Sequence, residues 1–241
     1  MTRLRYPFVL FDAGDTLLAP QDSFGAVYAR VLGALGVELA AADLERGMRR
    51  CWAATNAAIE PGVDRYAKDG EHAYWLRFVE GTLARTPGAP RDKALAARAV
   101  LPLREAFRDP ASWRVFDDVV PALAVLREAG ARLAIVSNWD SSLPALLDRM
   151  KLTPWFDAIV VSHLEGMEKP HPELFLRAVA RLRGTAGESL HVGDVPELDD
   201  AGARAAGIAS VIVDRRARLG PDRAALPDLS SLPAIARDGG V

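Results

Sequence analysis

Phe8-Val9-Leu10-Phe11-Asp12-Ala13-Gly14-Asp15-Thr16-Leu17 is the stretch whose reading decides the fold. Four consecutive apolar residues that end on a carboxylate and pass at once into a glycine-containing turn have the pattern of a strand buried on both faces in a parallel sheet. An open α/β sheet binds ligands at the carboxyl ends of its strands, so an acid at that edge faces a site rather than the core. The rest of the chain can be read as what serves Asp12.

Downstream of this strand the period becomes helical. Leu44, Met48, Cys51, Trp52 and Ile59 recur at helical spacing from Ala41 to Ile59, and Tyr74, Trp75, Phe78, Val79 and Leu83 repeat the pattern. Thr86-Pro87-Gly88-Ala89-Pro90 separates these from a third helix around Leu95 to Phe107, disturbed by Pro102. No strand signal interrupts them. Residues 20–107 therefore read as an inserted helical bundle, with 1–19 and 108–241 forming the core domain.

Beyond Asp117 strands and helices alternate. A helix over Asp117–Ala129 ends at Gly130, and a strand follows over Ala131–Ser137. A helix begins near Ser142, followed by a strand over Ala158–Ser162 and a helix over Glu173–Leu182. Strands at Leu190–Gly193 and Ser210–Val213 flank a small-residue helix, Asp199–Ala206. The tail, with Pro221, Pro227 and Pro233, predicts loop and a short helix near Ser231–Arg237. Parallel strands joined by crossover helices are the economical topology. The expected fold class is α/β, a Rossmann-like parallel sheet of about five strands with an inserted helical bundle.

Composition narrows the partners. Thirty Lys and Arg nearly balance 32 Asp and Glu, with no block of like charge, which argues against a nucleic-acid groove or a membrane surface. Small molecules are the expected partners. Met1 to Pro7 contain no apolar leader, and no run approaches the roughly 18 apolar residues of a membrane span, so the expected location is cytoplasmic. Cys51 is the only cysteine, which excludes an internal disulfide and a multi-cysteine metal site. Its helical neighbours Met48, Trp52 and Thr55 predict a buried, inert thiol.

Four strand ends carry polar residues of a consistent kind. Asp12 ends the first, Ser137-Asn138 the second, Glu168-Lys169-Pro170 follows the third, and Gly193-Asp194 ends the fourth, with Asp199 and Asp200 opening the next helix. Singly, each has an ordinary use: Asp12 and Asp194 as turn acids, Ser137 and Asn138 as a helix cap. Together they suit phosphate chemistry. A carboxylate can attack phosphorus and divide one hard displacement into two easier ones. A hydroxyl and a lysine can hold the equatorial oxygens, and clustered acids with a backbone carbonyl can hold Mg²⁺. Lys169 is one of four lysines against 26 arginines, a compact charge where the chain's habit supplies guanidinium.

With these residues in place, the chain resembles the haloacid dehalogenase superfamily, in the subgroup with a helical cap after the first strand. Asp12-Ala13-Gly14-Asp15-Thr16-Leu17 matches the family's first motif, Asp-x-Asp-Gly-Thr-Leu, in part. Ser137-Asn138 matches the second motif, and Lys169-Pro170-His171-Pro172 the lysine motif. Gly193-Asp194 through Asp199 matches the acidic motif, and the likeness covers nearly the whole chain. It implies Asp12 as nucleophile and Mg²⁺ ligand, with Asp194 and the Gly14 carbonyl as further ligands. Ser137, Asn138 and Lys169 would bind phosphate, and Asp199 would support the ligands from behind.

The departure from the family is at position 14. Relatives that hydrolyse phosphate esters carry a general acid and base there, which Gly14 cannot supply. Asp15 stands where the family has glycine, so the two look exchanged. One reading lets Gly14 free the turn and swing Asp15 toward the leaving group as a catalytic residue. The other makes Asp15 a turn cap.

The leading expectation is a Mg²⁺-dependent phosphatase for a small phosphorylated metabolite. Carbon–halogen hydrolysis is an alternative, opposed by Asp194 and Asp199 because such relatives need no metal. Carbon–phosphorus cleavage would need a cap lysine, for which only Lys68 and Lys93 are candidates. An impaired, phosphate-binding protein is the non-enzymatic alternative. His72, His163, His171 and His191 are assigned to core or surface, while Trp139 and Asp140 fall near the site entrance.

Overall fold

The computed structural model describes residues 4–220 and 223–240. The expectations resting on residues 1–3 and on Pro221 lie outside these. In chain order the elements are β1 (Phe8–Phe11), β2 (Leu18–Pro20), α1 (Phe24–Ala34), α2 (Ala41–Ala58), α3 (Gly70–Ala84), α4 (Lys93–Arg108), β3 (Trp113–Val115) and α5 (Val119–Glu128). Then follow β4 (Arg132–Ser137), α6 (Leu143–Arg149), β5 (Ala158–Val161), α7 (Ser162–Glu165), α8 (Pro172–Arg181), β6 (Ser189–Gly193), α9 (Asp199–Ala205), β7 (Ala209–Ile212) and α10 (Leu232–Asp238).

Five strands form one sheet in the order β5-β4-β1-β6-β7, every pair parallel. This is the α/β architecture the alternating pattern predicts. β1 lies centrally, with Leu10 opposite Ala134 on one side and His191 on the other. The chain runs outward from β1 through β4 and β5, then returns to the other side at β6. That reversal puts the ends of β4 and β6 on either side of Asp12, where open sheets of this kind bind ligands. Burial drives the arrangement: Leu10, Ala134, Val136 and Val160 pack against Leu174, Phe175 and Ala178 of α8. Each large apolar side chain removed from water contributes about 1.5–3 kcal/mol.

The chain divides into two compact units, one of residues 1–19, 61–64 and 115–241, the other of 20–60 and 65–114. The boundary expected after residue 107 falls in the last turn of α4. The helical unit has its own core, in which Tyr28, Leu32, Leu44, Val79, Leu83, Leu95 and Leu103 meet. Helix α1 escapes the sequence reading because Gly25, Gly33 and its alanines dilute the pattern. Ser23 caps it by accepting from the Ala26 amide at 3.0 Å. α4 runs unbroken through Pro102. The lost hydrogen bond and the steric clash cost about 3 kcal/mol, less than the burial of Leu95, Val100 and Leu103 returns.

Residues 61–64, between α2 and α3, belong to the sheet unit. Val63 forms an antiparallel bridge with Met167, and the Glu168 amide donates to the Gly62 carbonyl at 3.1 Å. This segment braces the loop that carries Lys169.

Candidate active site

Asp12 extends β1 by one more bond, its amide donating to the Val192 carbonyl at 2.9 Å. The backbone is thereby fixed at the sheet edge and the carboxylate is aimed from it. Asp12 Oδ1 accepts from Ser137 Oγ at 2.9 Å and from Lys169 Nζ at 2.6 Å. The same ammonium reaches Asp199 Oδ1 at 2.6 Å. Lys169, only 2% exposed, thus bridges two buried acids from different elements. Asn138 fixes where the lysine starts: its Oδ1 accepts from the Lys169 amide at 2.7 Å, and its Nδ2 donates to the Lys169 carbonyl at 3.0 Å. The amide expected to meet phosphate is therefore engaged with the Lys169 main chain.

Asp194 follows β6, and Asp12, Asp194 and Asp199 each offer a carboxylate oxygen within 4.8 Å of the others. The Val195 amide holds Asp199 by donating to Oδ2 at 2.9 Å. Gly193 makes room for this carboxylate, since a Cβ there would stand 2.1 Å from Asp199 Cγ. Three acids thus face one ammonium. Burial, joined by the charges of Asp12, Asp199 and Asp15, pushes Asp194 up to about 8. Burial and the Asp199 charge also raise Asp12, against the pull of Lys169. Burial works against ionisation of Asp199 too, but Lys169 and His191 outweigh it and hold that group below the ordinary carboxylate range. Lys169 is the mirror case, with burial outweighed by the two acids that keep it charged. An oxygen-only cluster with surplus negative charge fits a hard divalent cation.

The turn after Asp12 differs from both sequence readings. Gly14 is not among the residues of positive φ, and a Cβ on it would make ordinary contact with Trp139 Cζ3 at 3.5 Å. The left-handed residue is Asp15, at φ 51°. Aspartate tolerates that region better than most residues, but glycine occupies it without steric cost. The exchange has put glycine where the backbone does not need it. Both Asp15 oxygens are engaged by the loop after β7: Arg216 Nη2 reaches Oδ1 at 2.9 Å and Arg218 Nη1 reaches Oδ2 at 3.3 Å. Arg218 Nη2 also reaches Asp194 Oδ2 at 3.0 Å. Asp140, expected near the site entrance, accepts from the Ser142 amide at 2.9 Å in the turn that leads into α6.

A model of the haloacid dehalogenase-like hydrolase family matches residues 6–207. The chain belongs to the haloacid dehalogenase-like hydrolases. Haloacid dehalogenase-like hydrolase domain-containing protein 3 of Homo sapiens is 31% identical over 235 residues, 97% of this chain and 92% of its own. A glyceraldehyde 3-phosphate phosphatase of Methanopyrus kandleri is 30% identical over 220 residues, 86% of this chain and 83% of its own. In fold, a HAD-hydrolase from Bacillus subtilis, YfnB, superposes with a TM-score of 0.76 at 22% identity, covering 96% of this chain and 99% of that one.

Within this haloacid dehalogenase-like hydrolase, His191 is the site neighbour that the sequence reading left unassigned. It is fully buried in β6, with Nε2 2.9 Å from Asp199 Oδ1 and its ring edge-on to Phe175 at 4.9 Å. A carboxylate only accepts, so Nε2 carries the proton and His191 acts as a positioning residue behind Asp199. Among the described residues Nδ1 has no partner. The available signal was a polar residue inside the apolar run Leu190-His191-Val192, with an acid eight positions on. His163 also has a partner, Asp64 Oδ2 at 3.1 Å from Nδ1.

His191→Leu is expected to lower turnover roughly 10–100-fold with little change in KM, as loss of an orienting bond behind a reacting group does. His191→Gln, which keeps an N–H near the same place, should recover part of it. Steady-state kinetics on both variants checks this, and equal loss in the two would show a packing effect only.

Proposed function

We propose that this hydrolase is a Mg²⁺-dependent phosphatase that cleaves a small phosphorylated metabolite through an aspartyl-phosphate on Asp12. One observation carries the reading: Asp12 Oδ1 is gripped by Ser137 Oγ and Lys169 Nζ at a strand end, beside an acidic cluster. Asp12 attacks phosphorus, the bond to the leaving oxygen breaks, and that oxygen takes up a proton from solvent water. Water then attacks the phosphorus, the bond to Asp12 breaks, and inorganic phosphate leaves as the carboxylate is restored. Ser137 and Lys169 hold the equatorial oxygens through both steps. Asp12, Asp194 and the Gly14 carbonyl would hold Mg²⁺, which supplies charge neutralisation between an anionic nucleophile and an anionic substrate. The name of the Methanopyrus relative is in keeping with a phosphoester substrate. Metal-free carbon–halogen hydrolysis is disfavoured by the surplus of acid. The direct test is hydrolysis of p-nitrophenyl phosphate with and without Mg²⁺; turnover indifferent to the metal would refute the metal-dependent reading.

Binding of Mg²⁺ should release a proton near neutral pH. Asp194 is pushed up to about 8, so at pH 7 it is mostly protonated, while a ligand must be a carboxylate. Apparent affinity therefore rises with pH up to about 8 and levels off above it. Calorimetric titration of the protein with MgCl₂ in buffers of different ionisation enthalpy measures the proton count directly.

With no carboxyl at position 14, turnover should depend steeply on the leaving group. Aryl phosphates, whose leaving oxygens need little protonation, should outrun alkyl phosphates. Gly14→Asp, whose Cβ the site accommodates, should raise alkyl phosphate turnover by roughly 10²-fold, the low end of general acid catalysis. Unchanged alkyl turnover in that variant would mean that another group already supplies the proton.

A further inference from the structure

We infer that the loop after β7, residues 214–220, is a recognition element for a second anionic group on the substrate, a carboxylate or a further phosphate, with Arg216 and Arg218 as its ligands. This rests on the phosphatase reading and names the substrate class within it.

The loop is built before any ligand arrives. The Asp214 carboxylate accepts from three amides of its own loop, Arg216 at 3.4 Å, Arg218 at 3.0 Å and Leu219 at 2.6 Å. Arg215 supplies the anchor. It forks onto Asp118 with both contacts at 2.9 Å, donates to the Thr16 carbonyl and lies 3.9 Å from the centre of the Phe116 ring. Its side chain is only 6% exposed. The two arginines that reach toward the site differ: 38% of the Arg216 side chain and 37% of that of Arg218 are exposed. Anchoring is thus complete without them.

Asp15 is the exchangeable partner that these two guanidiniums share. They hold Asp15 between them, and Arg218 also reaches Asp194 of the acidic cluster. Part-exposed ion pairs are weak, so replacing Asp15 by a substrate anion of the same charge costs little. Guanidinium forks match carboxylate and phosphate geometry, which favours an oxyanion over other ligands. Arg218 thus joins the Asp15 contact to the acidic cluster through Asp194. A compact metabolite with its phosphoester at Asp12 and a second oxyanion a few bonds away fits this layout.

The test uses the full chain carrying Asp12→Asn, with MgCl₂ present, so that ligands bind without turning over. Calorimetry compares methyl phosphate, phosphoglycolate and ethylene glycol bisphosphate, before and after adding Arg216→Gln and Arg218→Gln. The expected result is that one or both doubly anionic probes bind about tenfold or more tightly than methyl phosphate, a gain on the scale of one charge-assisted hydrogen bond. The glutamine pair should erase that gain, and a lysine pair, which keeps the charge but not the fork, should retain part of it. The carboxylate and bisphosphate probes tell the two anions apart. Methyl phosphate binding as tightly as the other probes, or a gain that survives the glutamine pair, overturns the inference alone. No binding of any probe overturns the phosphatase reading and the inference together. Thermal melts of both arginine variants separate a lost ligand from a lost fold.

Discussion

Asp12→Asn is expected to remove aryl phosphate hydrolysis by about 10⁴-fold or more, the scale on which loss of a positioned nucleophile acts. The substitution is nearly isosteric. An amide oxygen can still accept from Ser137 Oγ and Lys169 Nζ, so the local geometry should persist. What disappears is the negative oxygen that attacks phosphorus. Unlike loss of a proton donor, this cannot be bypassed with a better leaving group, so aryl and alkyl substrates should fall together. Kinetics on p-nitrophenyl phosphate with saturating Mg²⁺ measures it, and circular dichroism confirms that the fold is retained. Residual turnover within tenfold of wild type would mean that Asp12 is not the nucleophile.

Lys169→Met should be as severe, and in stability as well as rate. The ammonium is buried and contacts two buried carboxylates at 2.6 Å each. Removing it leaves Asp12 and Asp199 facing each other without the ammonium that bridges them. Breaking a buried pair from one side costs about 3–5 kcal/mol, because the remaining charge is uncompensated. The sign of the pH dependence follows. Without Lys169 the folded-state pKa of Asp12 rises further above its unfolded value and Asp199 loses a cation that holds its own low, so stability is greatest at low pH and is lost as pH rises through the raised Asp12 value. Denaturant unfolding from about pH 5 to about pH 8 should therefore show the variant losing ground to wild type as pH increases. Added MgCl₂ should restore part of the loss, since it binds the folded cluster and not the unfolded chain. An equal deficit across that range would assign the effect to packing alone.

Much of this site was legible because it is carried by strand ends. Continuous apolar runs such as Leu133 to Val136 mark strands buried on both faces, and the residue that ends such a run is placed at the sheet edge by the pleat itself. Asp12, Ser137 and Asp194 could be found that way, and Lys169 by its motif. Contacts made across the chain could not. The Asn138 amide turned to the Lys169 main chain, and Arg216 reached Asp15 across 201 positions, because tertiary packing chose partners that no local period encodes. His191 was hidden for a related reason, since a polar residue on a buried strand is informative only when its neighbour is known. The Gly14–Asp15 exchange was visible, but which of the two takes the left-handed conformation is a property of the folded turn.

The most direct test of the central claim is to acid-quench the enzyme during steady-state turnover of p-nitrophenyl phosphate with Mg²⁺ and map any phosphoryl group by peptide mass spectrometry. The account predicts a hydroxylamine-sensitive phosphoryl group on the peptide containing Asp12, absent from Asp12→Asn. Turnover that persists in Asp12→Asn, or a phosphoryl group carried by a different residue, would contradict it.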